Sequence, residues 1–221
     1  MTTITPAKAP TRRNFLGLAT VALLGAGAAS AAGRSAPVVT LLGDSITAGY
    51  GLSAAAALPA RLQAALNSLG VRAQVRGAGV SGDTSADGLA RAGFSVQADT
   101  TLCVVALGGN DLLQGLDPKV TRANLTQLVA QLKRRHMAVL LAGLTAPKAI
   151  GAGYATAFNA VFPAVARAQG VALYTDLLAG VSGHPTLIQG DGLHPNAAGA
   201  DLIARKLAPV VARALKATHR S

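Results

Sequence analysis

Two short motifs lie far apart in a chain of 221 residues: Gly43-Asp44-Ser45, directly after the apolar run 38–42, and Asp191-Gly192-Leu193-His194-Pro195 near the other end. A serine hydroxyl is a weak nucleophile unless a base takes its proton as it attacks. His194 is the candidate base. Asp191, three residues earlier on a turn kept extended by Pro195, can hold the near ring nitrogen while the far one faces the serine. Ser45, Asp191 and His194 are therefore the parts of a hydrolytic triad, in the chain order Ser, Asp, His. Taken singly they say less. Asp-x-x-His-Pro by itself reads more readily as a helix-capping Asp and a surface His, and a glycine after a strand also begins many phosphate loops. Gly43, however, opens neither Gly-x-Gly-x-x-Gly nor Gly-Lys-Ser/Thr, and Thr47 stands where a Gly-x-Ser-x-Gly elbow needs glycine. His136, His184 and His219 have no comparable partner and read as helix-end, loop and tail residues.

Two further segments extend the pattern, Gly79-Val80-Ser81-Gly82-Asp83-Thr84-Ser85 and Leu107-Gly108-Gly109-Asn110-Asp111. With the first pair they resemble the four sequence blocks of the SGNH (GDSL-type) serine hydrolases, most closely the branch of periplasmic acyl thioesterases, lysophospholipases and arylesterases. The resemblance runs from about residue 38 to about residue 215. It implies that the backbone N–H of Ser45, the backbone N–H of Gly82 and the side-chain amide of Asn110 hold the oxyanion, and that no metal or cofactor takes part. From the residues alone, Gly82 reads as well as an ordinary turn glycine, whereas Asn110, preceded by two glycines at a strand end, reads as a donor rather than as a residue stabilising its own loop. Asp44, Asp83 and Asp111 adjoin these positions, but no His or Cys stands at ligand spacing with them, so they are expected to fix loops rather than bind a metal. Leu112 and Leu113, Pro147 and Ile150 in the stretch 146–150, and Ile188 beside Gln189 are the expected walls of the acyl pocket. Members of the family often carry Arg-Asn-Tyr-Gly where this chain has Lys148-Ala149-Ile150-Gly151, so substrate preference is not carried over with the catalytic parts.

Such groups need a scaffold that brings residues 45, 82, 110 and 194 to one place. Apolar runs at 38–42, 71–75, 101–107, 139–144 and 171–174 predict strands buried on both faces. Helical spacing falls between them at 58–69, 120–132, 154–168 and 197–215. Alternation of this kind predicts an α/β fold, a three-layer α/β/α sandwich around a central, mostly parallel sheet of about five strands, flavodoxin-like in the manner of the SGNH hydrolases. Open sheets of this type form their crevice at the strand carboxyl ends, where Gly43-Asp44-Ser45 and Gly108-Gly109-Asn110 fall.

The N-terminal stretch is a different signal. Thr11-Arg12-Arg13-Asn14-Phe15-Leu16-Gly17 resembles a twin-arginine export motif and is followed by the apolar residues 18–29 and a small-residue exit at Ala29-Ser30-Ala31. About a dozen apolar residues fall short of the ~20 that span a bilayer. The division expected is a signal peptide over 1–31, cleaved near Ala31, and one hydrolase domain over 32–221 in the periplasm or outside the cell. Three of the 20 basic residues (Lys8, Arg12 and Arg13) lie in that leader, leaving 17 against nine acids, a net +8. The remaining cations are scattered, with Lys133-Arg134-Arg135 closing a helix where cations suit the dipole. With aromatics at 3% and no Trp, nucleic acid is not an expected partner; weak attraction to anionic envelope surfaces is. The protein is expected to act as a monomer on a small-molecule or lipid ester. Cys103 is alone, within an apolar run, and reads as a small buried hydrophobe.

The function expected is a secreted serine esterase acting on aryl esters, acyl thioesters or lysophospholipids through an acyl-enzyme. An O-acetyl esterase acting on polysaccharide is the alternative within catalysis, disfavoured by the few aromatics. A non-catalytic lipid or glycan binder is the alternative of another class, and an organophosphonate that labels Ser45 separates it from an enzyme.

Overall fold

Five short runs rich in Val, Leu and Ala become five parallel strands. They are β1 (Val38–Gly43), β2 (Gln74–Gly79), β3 (Thr100–Ala106), β4 (Ala138–Ala142) and β5 (Ala172–Tyr174), in the order β2-β1-β3-β4-β5. This computed structural model describes residues 1–3, 5 and 36–218. The expected leader and its cleavage site, residues 1–3 and 5 apart, and His219 lie outside the described residues.

The helices are α1 (Ser45–Ala48), α2 (Leu58–Ser68), α3 (Ser85–Ser95), α4 (Gly109–Leu113), α5 (Pro118–Arg134), α6 (Ala152–Asn159), α7 (Val161–Gln169) and α8 (Ala197–Thr218). α2 packs on α8 along one face of the sheet, while α3, α5 and α7 pack side by side along the other. The central strands β1 and β3 are therefore covered on both sides, which is why they read as continuous apolar runs. Cys103 lies fully buried in β3, where burial pushes its thiol up to about 12 and leaves it an inert apolar group.

Besides the short helices α1 and α4, which the helical spacing does not announce, three elements differ from the sequence expectation. β2 begins at Gln74 rather than residue 71, because it is an edge strand, half exposed, whose glycines carry no hydrophobic signal. α3 was not foreseen: Gly88 and Gly93 weaken its helical pattern, and a capping box between Thr84 and Asp87 starts it instead. The helix expected over 154–168 is two helices divided at Ala160, with Pro163 in the first turn of α7, where a missing N–H costs little.

Gly79 is what allows the serine loop to sit where it does. A Cβ at that position would lie 2.3 Å from Ala48 N and 2.8 Å from Asp44 O, so α1 docks against β2 only over a glycine.

Candidate active site

Ser45 is the first residue of α1, one residue past the end of β1, so its own N–H has no intrahelical acceptor and lies at the crevice end of the sheet. Asp44 caps this turn, its Oδ1 accepting the Ile46 N–H at 3.0 Å. The histidine arrives on the connection from β5 to α8. There Ile188 pairs with Pro195 in an isolated antiparallel bridge, and Asn196 caps α8 by accepting the N–H groups of Ala198 and Gly199. These contacts hold residues 189–195 as a tight loop, with Gly192 at φ 74° supplying the left-handed residue.

The loop carries His194 Nε2 to 2.9 Å from Ser45 Oγ and its Nδ1 to 2.6 Å from Asp191 Oδ2. Asp191 Oδ1 meanwhile accepts the N–H groups of Leu193 at 2.9 Å and His194 at 3.0 Å. Those backbone donors, with the Leu193 N–H first and the imidazole next, pull the Asp191 carboxyl down to about 2, so it stays ionised beside the ring. Two residues that sequence reasoning did not single out for this task complete the support. The Tyr50 ring lies 4.7 Å from the imidazole centroid, tilted by 37°. The Gln189 amide donates to the carbonyls of Tyr50 at 2.7 Å and Pro195 at 3.0 Å, tying the histidine loop to the serine loop. No local spacing announces either contact, since 139 residues separate Gln189 from Tyr50.

The other two blocks meet across the same crevice. Asn110 Nδ2 donates to the Asp83 carbonyl at 2.9 Å, which spends one of its two N–H bonds and fixes the direction of the other. Gly82, at φ 90°, turns the adjoining loop in a conformation few other residues adopt. Gly108 at φ 113° likewise needs to be glycine, and a Cβ on Gly109 would lie 2.9 Å from Asp44 Oδ2, so both glycines before Asn110 have a steric reason.

The three neighbouring carboxylates each have a structural partner. Asp111, fully buried, accepts the Ser85 N–H at 2.7 Å, the Ser85 hydroxyl at 2.5 Å and the Thr121 hydroxyl at 3.0 Å, binding α4 to α3 and α5. Asp83 pairs with Arg91 Nε at 2.5 Å, while the other guanidinium nitrogens of Arg91 donate to the carbonyls of Ala78 and Gly43. Arg91 is thus a clamp across the ends of β1 and β2 beneath the Gly82 turn, and the sequence gives no sign of it. Gly77-Ala78-Gly79-Val80-Ser81-Gly82 does match the spacing of a dinucleotide loop. In the structure Gly77 and Gly79 lie within β2, under Pro59 and the Ala48 backbone, and serve close packing.

Burial pushes the Asp44 carboxyl up to about 6 from an ordinary 3.8. The folded protein therefore holds a proton that the unfolded chain has released between about pH 4 and pH 6, so this group's contribution favours folding below that window and is lost as the pH rises through it. Asp44→Asn keeps an acceptor for the Ile46 N–H and removes the buried charge. It is expected to stabilise the fold by about 1–3 kcal/mol above pH 7 and to flatten the pH dependence between 4 and 6. Thermal melts of both proteins across that range check this, and an unchanged or lower Tm in mildly alkaline buffer would refute it.

A cavity of about 590 Å³ opens beside Ser45 and His194. Leu112, Leu113, Pro147 and Ile150, all expected as pocket residues, line it. Ile188 is not among its lining: it is set back in the bridge to Pro195, and Leu178, Ser182 and Leu193 form the wall expected of it. Tyr154 also lines the cavity, and its hydroxyl donates to the Leu116 carbonyl at 2.8 Å, joining α6 to the loop after α4.

Residues 41–202 match the GDSL-like lipase/acylhydrolase family. The thioesterase 1/protease 1/lysophospholipase L1 of Escherichia coli (strain K12) is 37% identical over 182 residues, covering 80% of this chain and 86% of that protein. The crystal structure of TesA superposes with a TM-score of 0.75 at 35% identity, over 80% of this chain and 99% of the other. The SGNH-hydrolase family esterase AlinE4 does so with a TM-score of 0.69 at 41% identity, over 82% and 98%.

Proposed function

The chain belongs to the GDSL-like lipase/acylhydrolase family and is a carboxylic ester hydrolase, and on that premise we propose that it is a secreted serine esterase working through an acyl-enzyme on acyl esters, acyl thioesters or lysophospholipids. The observation that carries this reading is the continuous hydrogen-bond chain from Asp191 through His194 to Ser45, opening on a largely apolar cavity of about 590 Å³. Ser45 Oγ attacks the substrate carbonyl carbon as His194 Nε2 takes its proton, and the carbonyl oxygen becomes the oxyanion. The N–H groups of Ser45 and Gly82 and the unspent N–H of Asn110 receive that charge. Collapse breaks the bond to the alcohol or thiol, which leaves with the proton from His194. Water then attacks the acyl-enzyme, giving its proton to His194, and the acid departs as Ser45 recovers its hydrogen. Asp191 stays ionised and stabilises the imidazolium in both halves.

An acetyl group would fill little of this cavity, which favours a longer acyl chain over O-acetyl trimming. The test has two parts: mass-spectrometric labelling by an organophosphonate, expected at Ser45, and an ester panel from acetyl to palmitoyl with aryl, thiol and lysophospholipid leaving groups. Labelling elsewhere overturns the mechanism, and maximal turnover on acetyl esters overturns the substrate reading.

Asn110→Ala probes the oxyanion assignment. A donor that binds the transition-state oxygen more strongly than the substrate carbonyl acts on turnover, and losing one typically costs 10²–10³-fold, or roughly 3–4 kcal/mol. The variant should lose kcat by about that factor on a short aryl ester with little change in KM. Retention of more than about a third of kcat, with chemistry rate-limiting, would make Asn110 a loop-fixing residue through its bond to Asp83 alone.

Secretion rests on the arginine pair of the leader. Arg12→Lys with Arg13→Lys is expected to strand the precursor in the cytoplasm, and an unchanged yield outside it would count against the twin-arginine route.

A further inference from the structure

In a parallel sheet every helix-to-strand connection returns to the amino ends of the strands, so the pole opposite the active site is built from helix carboxyl termini. In this chain that pole collects cations. Arg72 precedes β2, Arg134 ends α5, Arg167 lies in the last turn of α7, and Arg213 and Lys216 lie in the last turns of α8; all five are exposed. The one acid there among the described residues, Asp99, is held by Arg76 through two bonds of 2.8 and 3.0 Å. The chain's other eight acids lie at strand carboxyl ends or toward the beginnings of helices, on the active-site side.

The same pole exposes two large apolar side chains. Phe94, in the last turn of α3, is 92% exposed, and Leu69, which closes α2, is 52% exposed. A Phe with no intramolecular packing is a cost in water that burial elsewhere would recover. The turn that carries it is anchored, since Arg135 donates to the carbonyls of Ala92 and Val96 on either side. The chain also enters the domain here, at the amino end of β1.

We propose that this basic pole, with Phe94 and Leu69 as apolar anchors, docks the protein on an anionic lipid bilayer and turns the Ser45 crevice away from the surface. Cations with interspersed apolar side chains are the combination that binds the headgroup region, the cations by attraction to acidic lipid and the apolar groups by entering the acyl boundary. The orientation makes the enzyme a hydrolase of substrates that reach it from the aqueous side rather than from the bilayer beneath it.

Flotation of the full chain with vesicles of phosphatidylcholine, alone or mixed with phosphatidylglycerol, tests this. The protein is expected to favour the mixed vesicles and to lose that preference as salt is raised. Arg134→Gln, Arg167→Gln, Arg213→Gln and Lys216→Gln combined should lower partitioning on mixed vesicles about 10²-fold, at roughly three- to fivefold per cation. Phe94→Ser should lower it about tenfold. Both variants should keep their kcat on a soluble ester and their Tm. Leu113→Ser with Ile150→Ser, at the cavity mouth, should leave partitioning unchanged. Equal binding to neutral and anionic vesicles, undiminished binding by the fourfold variant, or loss of binding in the cavity-mouth pair instead would overturn the proposal.

Discussion

Alanine at Ser45 or at His194 is expected to lower kcat by about 10⁶-fold on an activated ester, and the double variant to lower it no further. The reason lies in the 2.9 Å bond between Ser45 Oγ and His194 Nε2. A hydroxyl with no base must attack while still protonated, and a base with no nucleophile has nothing to activate, so either loss removes the whole covalent route. What survives is oxyanion binding and substrate positioning, which together give a residual rate above that in water. Single-turnover kinetics on a short aryl ester, with all three variants checked for an unchanged fold, provide the measurement. Losses that multiply in the double variant would mean that the two groups act in separate steps, and the triad proposed here would fail.

Asp191→Asn is expected to lower kcat by about 10⁴-fold while leaving Tm nearly unchanged. The structure gives a specific cause. Asp191 Oδ1 accepts two backbone N–H groups, from Leu193 and His194, and in the variant those donors still require an oxygen. The Asn carbonyl is therefore held at that position, and its NH₂ group is turned to His194 Nδ1 in place of Oδ2. A donor facing Nδ1 selects the tautomer with its proton on Nε2, the nitrogen that must accept from Ser45. Asp191→Ala leaves the tautomer free and should be no worse than Asn. Turnover of both variants on the same ester checks the argument: an Asn variant within about tenfold of wild type would show that the tautomer is set elsewhere.

The chemistry of this protein was legible in its sequence because the reacting residues sit in short segments whose local form is self-determined. Asp191 and His194 are three apart and make their mutual contacts within one turn. Ser45 follows an apolar run that is central in the sheet, and buried strands of that kind announce themselves by composition. The glycines at 79, 108 and 109 each answer a close approach or a positive φ, so the motif carries its own steric reasons. The strands and most of the helices could be read for the same cause, and β2 was misplaced where glycine and exposure erased the periodic signal.

What the sequence could not give is everything that depends on two surfaces meeting. Arg91 reaches Gly43, 48 residues away, and Gln189 reaches Tyr50, 139 residues away, yet nothing near either residue marks it as a clamp. The cavity wall passed from Ile188 to Leu178, Ser182 and Leu193 because the pairing of Ile188 with Pro195, a contact across a loop, sets that side chain back. The gathering of acids at one pole, which leaves the other almost purely basic, is likewise invisible along the chain, where the charges are scattered. It appears only when parallel strands send every helix back in the same direction, gathering first turns at one end and last turns at the other. Local chemistry was thus written in residue order, while the supports, the pocket shape and the charge asymmetry came from packing, which no sequence-local pattern encodes.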